Sequence, residues 1–222
     1  MTEFFNVILS TFSDALVDMG HMTAWEAIAV VLALAYLWLA MRGNIWCWPA
    51  AFLSTIIYTV LFWEVALLME SMLNVYYMAM AVYGFWLWRH GRRDKKRQGD
   101  DNLAIVSWSP SRHIWIICVT TLVSLGLGYV MDNYTQASFA YLDAATTCFA
   151  VMTTYLVAQK VVENWLYWVV IDLVSIYLYF SKGLMLTSLL FVLYVGMAVA
   201  GYLMWRQEML GQEEASRQLS YQ

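Results

Sequence analysis

Residues 165–180 read Trp-Leu-Tyr-Trp-Val-Val-Ile-Asp-Leu-Val-Ser-Ile-Tyr-Leu-Tyr-Phe, an apolar run interrupted by one carboxylate, Asp172. A hydrocarbon layer about 30 Å thick takes roughly 20 predominantly apolar residues per helical crossing. Six further runs of this kind lie at Thr23 to Met41, Ile45 to Phe62, Leu67 to Trp88, His113 to Met131, Ser138 to Ala158 and Leu184 to Trp205. Trp46, Trp48, Trp63, Trp86, Trp88 and Trp205 sit near their ends, where a ring with an apolar body and a polar edge suits the headgroup layer. The expected fold is an all-α integral membrane protein with seven transmembrane helices.

Composition agrees. Of 222 residues, 62% are hydrophobic and 13% charged, with a mean hydropathy of +0.60. That is more apolar surface than a water-soluble core hides, so lipid is the expected solvent. Of the 12 Lys and Arg residues, all but Lys182 fall on one side of a seven-span arrangement. Cytoplasmic loops retain cations, which predicts an external N-terminus and a cytoplasmic C-terminus. The first 22 residues hold Glu3, Asp14 and Asp18 but no cation, unlike the basic start of a secretory signal. Phe5, Leu9, Phe12, Leu16 and Met19 recur there at helical spacing, which predicts an amphipathic helix on the outer surface or packed on the bundle. Cys47, Cys118 and Cys148 lack paired spacing and read as small apolar fillers.

The chain resembles itself. Asn44 to Pro49 matches Asn164 to Val169, sharing Asn and the second Trp. After a short deletion from the second loop, Leu73, Tyr77, Gly84, Trp88 and Arg89 match Leu190, Tyr194, Gly201, Trp205 and Arg206. Helices one to three thus resemble helices five to seven, and the odd helix between them lets both triplets run the same way. The expected divisions are an external segment 1–22, a first repeat 23–90, a basic cytoplasmic linker 91–112, a linker helix 113–133, a second repeat 134–206 and a cytoplasmic tail 207–222. The six cations of the linker serve as a topology signal, with anionic lipid as the other use.

Carboxylates inside a span cost about 2.5 to 3.5 kcal/mol each on insertion scales and are kept where a partner or a wet cavity exists. Glu70, Asp143 and Asp172 are the candidates, Asp172 being the most intramembrane. Trp165, Trp168 and Asp172 share one stripe of their helix; Asp143, Thr147, Ala150 and Thr154 make a second, and Glu70, Asn74 and Tyr77 a third. In the self-alignment Asp172 falls opposite Phe52, Glu70 opposite Thr187 and Asn74 opposite Phe191, so these polar groups are not duplicated. Indoles beside a carboxylate favour a flat, hydroxylated cation, because the ring face attracts positive charge and the carboxylate accepts hydroxyls. No basic cluster lies within the spans, so an anion fits poorly.

The run Asn44-Ile-Trp-Cys-Trp-Pro49, the helix ending Tyr83-Gly-Phe-Trp-Leu-Trp88, and Lys160-Val-Val-Glu-Asn-Trp-Leu-Tyr-Trp168 followed by Asp172 resemble the bacterial PnuC family of nicotinamide riboside transporters. The resemblance covers nearly everything after about residue 23. It implies uptake of nicotinamide riboside, a flat hydroxylated cation, by facilitated diffusion, with trapping by a cytoplasmic nicotinamide riboside kinase. It also implies the parallel repeats of the SWEET proteins, a bacterial inner-membrane location and a homo-oligomer such as a trimer. Carried over, Trp165, Trp168 and Asp172 bind substrate, with Asn74, Tyr77, Tyr194, Asp143 and Glu70 along the path; no cofactor or metal is expected. Pro49 is the one proline within a span, and its partner is Val169, a departure from the paired hinges of SWEET repeats.

A transporter of the same fold for thiamine or another vitamin, or a proton-coupled version, is the nearest rival. A seven-helix receptor is more distant: a retinal protein needs a lysine in mid-span seven, and Lys182 lies at the outer mouth. An intramembrane enzyme is disfavoured, as H-E-x-x-H and G-x-S-x-G are absent and the three histidines are scattered, and without a Walker loop ATP is not expected to drive the chain directly.

Overall fold

The computed structural model describes residues 24–64, 68–91, 103–135, 139–181 and 185–220. The expected amphipathic helix before Thr23, most of the basic linker and Lys182 lie outside these residues. Seven helices follow one another: α1 (Ala24–Met41), α2 (Cys47–Glu64), α3 (Leu68–His90), α4 (Pro110–Tyr134), α5 (Ala140–Ala158), α6 (Asn164–Ser181) and α7 (Met185–Ser220). Four of them, α1, α2, α4 and part of α7, are long and apolar enough to cross a membrane by composition alone. The other three, α3, α5 and α6, carry the polar stripes.

Two boundaries differ from expectation. Helix α4 starts at Pro110, before His113, because proline at the first helical position lacks only an amide proton that has no helical partner there. The tail after Trp205 is helical to Ser220. Gln, Glu, Met, Leu and Ala there are good helix formers, and Gln212 donates one turn back to Glu208 at 3.2 Å.

Helix contacts form a closed ring. Helix α1 packs on α2, α2 on α3, α3 on α5, α5 on α6, α6 on α7, and α7 on α1. Among the described residues α4 packs mainly on α5, outside the ring, and touches α6 where His113 Nδ1 lies 2.9 Å from the Tyr167 hydroxyl. Large apolar side chains such as Val31, Leu53, Met72, Leu122, Val170 and Val192 face outward, while Ser54, Thr153, Asn164 and Asp172 are buried. Apolar outside and polar inside is the arrangement expected where lipid is the solvent.

One end of the ring is locked by four buried indoles. Trp48 meets Trp88 edge-on at 5.4 Å, Trp165 meets Trp205 edge-on at 5.5 Å, and Trp88 and Trp205 touch at 6.2 Å. Such pairs contribute about 0.5–1.5 kcal/mol beyond area burial. Trp88 Nε1 donates to the Ala158 carbonyl and Trp205 Nε1 to the Ala40 carbonyl, each at 3.0 Å. Carbonyls in the last turn of a helix lack intrahelical partners, so Trp88 caps α5 and Trp205 caps α1. Gly84 and Gly201 let the Trp48 and Trp165 rings lie directly on the backbone, where any Cβ would collide with the indole.

These features recur at one interval. The spacing from Trp48 to Trp165 equals that from Gly84 to Gly201 and from Trp88 to Trp205. Ser71 donates to the Thr59 carbonyl at 2.9 Å and Ser188 to the Ile176 carbonyl at 3.3 Å, again at the same interval. The loop deletion assumed in the self-alignment is therefore not needed. Trp48 corresponds to Trp165 and not Trp168, and Asp172 falls opposite Thr55 and not Phe52.

The turns after α1 and α5 correspond likewise. Gly43 has φ +63°, and Lys160 holds the equivalent position at φ +51°. This left-handed turn suits glycine; for another residue it costs about 1–2 kcal/mol. Lys160 is only 2% exposed, and its Nζ lies 4.4 Å from the centre of the Trp88 ring. Cation–π attraction of about 1 kcal/mol or more, when desolvated, offsets much of that strain.

The chain entering α4 docks on the α5–α6 turn. Val106 accepts from Val162 at 2.9 Å and donates to Lys160 at 3.0 Å, making an isolated parallel bridge with Val161. The Glu163 carboxylate accepts the Ser107 hydroxyl and the Trp108 amide, and faces His113 Nε2 at 3.7 Å. Two residues of the Lys160 to Trp168 motif, Lys160 and Glu163, are thereby accounted for by structure.

Candidate functional site

Inside the ring lie two adjoining lobes, of about 230 and 240 Å³, that share Ala33, Tyr36 and Trp168. The first is walled by Trp165, Trp168 and Asp172 of α6 with Phe191 and Tyr194 of α7. The second is walled by Trp48, Ser54 and Thr55 of α2, Asn74 and Tyr77 of α3, and Thr154 of α5. The Trp48 and Trp165 rings that form the interlock are also lobe walls. The indole N–H of each is buried with no hydrogen-bond partner among the described residues, unlike those of Trp88 and Trp205.

Asp172 is 5% exposed. It sits two turns into α6, on the stripe that begins with Trp165 and Trp168, because residues three and four apart share a helix face. A carboxylate so placed within apolar rings is costly unless something cationic or hydroxylated meets it. Phe191 stands edge-on to Tyr194 at 5.6 Å and stacks on Tyr179 at 5.2 Å, fixing the far wall. No Lys or Arg lines either lobe among the described residues.

Of the expected site residues, Trp165, Trp168, Asp172, Tyr194, Asn74 and Tyr77 all line these lobes. Asp143 does not: it is half-buried in the first turn of α5, and the described walls of both lobes exclude it. The helix at Glu70 is described but its side chain is not, so that position lies outside this account. Tyr36 and Thr55 are wall residues that sequence reasoning passed over. Aligning the halves at a constant interval would have put Thr55 opposite Asp172.

Comparison with known proteins decides the family. A model described as nicotinamide mononucleotide transporter matches residues 23–207. The chain belongs to that family. It is a family of membrane transporters, not enzymes, and the chain is accordingly a multi-pass membrane protein. The nicotinamide riboside transporter PnuC of Escherichia coli (strain K12) is 24% identical over 230 residues, covering 91% of this chain and 92% of the relative. The riboflavin/roseoflavin transporter RibM of Streptomyces davaonensis is 25% identical over 195 residues, covering 87% and 90%. A crystal structure of the vitamin B3 transporter PnuC shares the fold, with a TM-score of 0.67, 19% identity, and coverage of 91% of this chain and 89% of that one.

Proposed function

We propose that the chain takes up nicotinamide riboside across the inner membrane by facilitated diffusion, the vitamin then being trapped by a cytoplasmic kinase. The observation that carries this reading is Asp172, buried beside Trp168 and Tyr194 in a lobe without cations. A pyridinium ring stacks on indole and is attracted to the carboxylate, whereas a phosphate would find no basic partner. The unphosphorylated riboside therefore suits these walls better than the mononucleotide of the family description. Substrate contacts fall to Trp165, Trp168 and Asp172, with Asn74, Tyr77 and Tyr194 around them.

The architecture that goes with this function is seven spans in two parallel repeats, α1–α3 and α5–α7, joined by α4. The recurring interval of the interlock and the closed ring with α4 outside it support that arrangement. The cation bias supports an external N-terminus and a cytoplasmic C-terminus, which puts the interlocked end on the cytoplasmic side. A homo-oligomer such as a trimer, with α4 at the periphery, belongs to the same reading.

RibM favours a second reading, in which a flat neutral vitamin such as riboflavin is carried. Asp172 argues against it, since a neutral ring gives that carboxylate no charge to meet. Uptake into liposomes holding the purified chain separates the two. Labelled nicotinamide riboside should equilibrate without an ion gradient, resist riboflavin and thiamine as competitors, and be lost in Trp168→Ala and Asp172→Ala. A need for a proton gradient would overturn uniport, and uptake of riboflavin alone would overturn the substrate.

A further inference from the structure

The two lobes are themselves a duplicated pair whose chemistry has separated. At the interval fixed by the interlock, Trp48 corresponds to Trp165 and Tyr77 to Tyr194, so each lobe keeps one indole wall and one phenol. The other wall positions differ in kind. Asp172 corresponds to Thr55, Phe191 to Asn74, and Leu37 of the first lobe to Thr154 of the second. Both lobes are aromatic, but one carries a carboxylate and the other hydroxyl and amide groups. Similar volumes with unlike polar groups suit a ligand with two unlike ends.

Hydrogen bonding says which end the second lobe takes. Thr55 Oγ1 donates to the Ala51 carbonyl at 2.9 Å, Ser54 Oγ to the Ala29 carbonyl at 2.9 Å, and Thr154 Oγ1 to the Ala150 carbonyl at 2.8 Å. A hydroxyl whose proton is committed to a backbone carbonyl keeps lone pairs and acts as an acceptor. A wall of such acceptors receives hydroxyl donors, and among the described residues it has no carboxylate to meet a cationic ring. Trp168 and Tyr36, common to both lobes, stand where the two ends of the ligand join.

We propose that the α2–α3 lobe is a sugar compartment, in which Thr55 and Asn74 bind the ribose hydroxyls and make the protein select a riboside over a pyridinium that lacks the sugar. This rests on the reading of the substrate given above and assigns its orientation: pyridinium towards Asp172, ribose towards Thr55. Selection arises because a ligand without hydroxyls leaves the lobe's acceptors buried and unmatched.

Calorimetric titration of the purified full-length chain with nicotinamide riboside, its 2′,3′-dideoxyriboside and 1-methylnicotinamide, a pyridinium without the sugar, tests the assignment. Thr55→Val should weaken the riboside roughly tenfold, the value of one net hydrogen bond, and should not weaken the dideoxyriboside further. Thr55→Ser should restore binding, and Asp172→Asn should weaken all three cations together. Equal losses for riboside and dideoxyriboside in Thr55→Val, or no loss for either, overturn the sugar compartment while leaving nicotinamide riboside as substrate. Asn74→Leu, on a different helix, repeats the comparison should Thr55→Val fail to fold. No binding of the riboside by the unaltered chain would overturn the substrate reading and this assignment together.

Discussion

Trp48 on Trp88 and Trp165 on Trp205 make the same edge-on contact, at 5.4 and 5.5 Å, in the two halves of the molecule. A few residues further along the same helices, Thr55 stands where Asp172 stands. The interlock has kept its partners and the cavity has not. Tight packing explains the first: in each pair one indole is pressed on a glycine backbone and the other is hydrogen-bonded to a distant helix end, and neither tolerates many replacements. The cavity walls touch space that a ligand fills, so each half was free to adopt its own chemistry.

The sharpest way to break this comparison is to overfill the interlock. Gly201→Leu drives a side chain into the Trp165 indole, and Gly84→Leu does the same to Trp48. Each should destabilise by about 3 kcal/mol or more, the upper range for overpacking a rigid core, and lower the melting temperature in detergent. Gly126 and Gly196 have nothing within 4 Å of a built Cβ, so Ala there should leave melting unchanged or slightly raised. If all four substitutions cost the same, close packing is not what preserved the interlock.

Asp172→Asn tests the cavity from the other side. Charged hydrogen bonds contribute about 1.5–3 kcal/mol, so uptake of a cationic substrate should fall at least tenfold. Melting should hold or rise, because an amide is cheaper to bury than an unpaired carboxylate. A fall in melting with unchanged uptake would make Asp172 a structural residue.

Much of this contrast is legible in the sequence, and the missing parts have physical reasons. Spans are legible because lipid demands long apolar runs, and Trp165, Trp168 and Asp172 because one carboxylate among indoles is costly. Thr55 and Tyr36 are not, since a Thr or Tyr in an apolar helix carries no sign of the face it occupies. The roles of Lys160 and Glu163 are hidden for another reason. Both act on residues distant in sequence: the packing of α3 on α5 brings Lys160 to Trp88, and the docking of the chain before α4 brings Ser107 and Trp108 to Glu163.

Within the interlock a smaller effect should be symmetric. Trp88→Phe and Trp205→Phe each remove one indole N–H from a helix-end carbonyl, at Ala158 and Ala40. About 1 kcal/mol is expected from each, measured as the shift in melting temperature. Costs that differ by more than twofold would show that the two halves share geometry but not energetics.

The smallest effect separates backbone from side chain in the paired turns. Gly43 and Lys160 share a left-handed conformation, but only Lys160 has a side chain to compensate for it. A Cβ on Gly43 would meet nothing closer than 3.7 Å, so Gly43→Ala carries strain without a clash and should cost about 1 kcal/mol. Lys160→Gly relieves the same strain but removes the cation from Trp88, two effects of about 1 kcal/mol and opposite sign, and melting should barely move. Lys160→Met keeps the strain and loses the charge, so it should destabilise more than Lys160→Gly. The reverse order would mean that the lysine contributes nothing to the turn, and that the interlocked end tolerates divergence as readily as the cavity does.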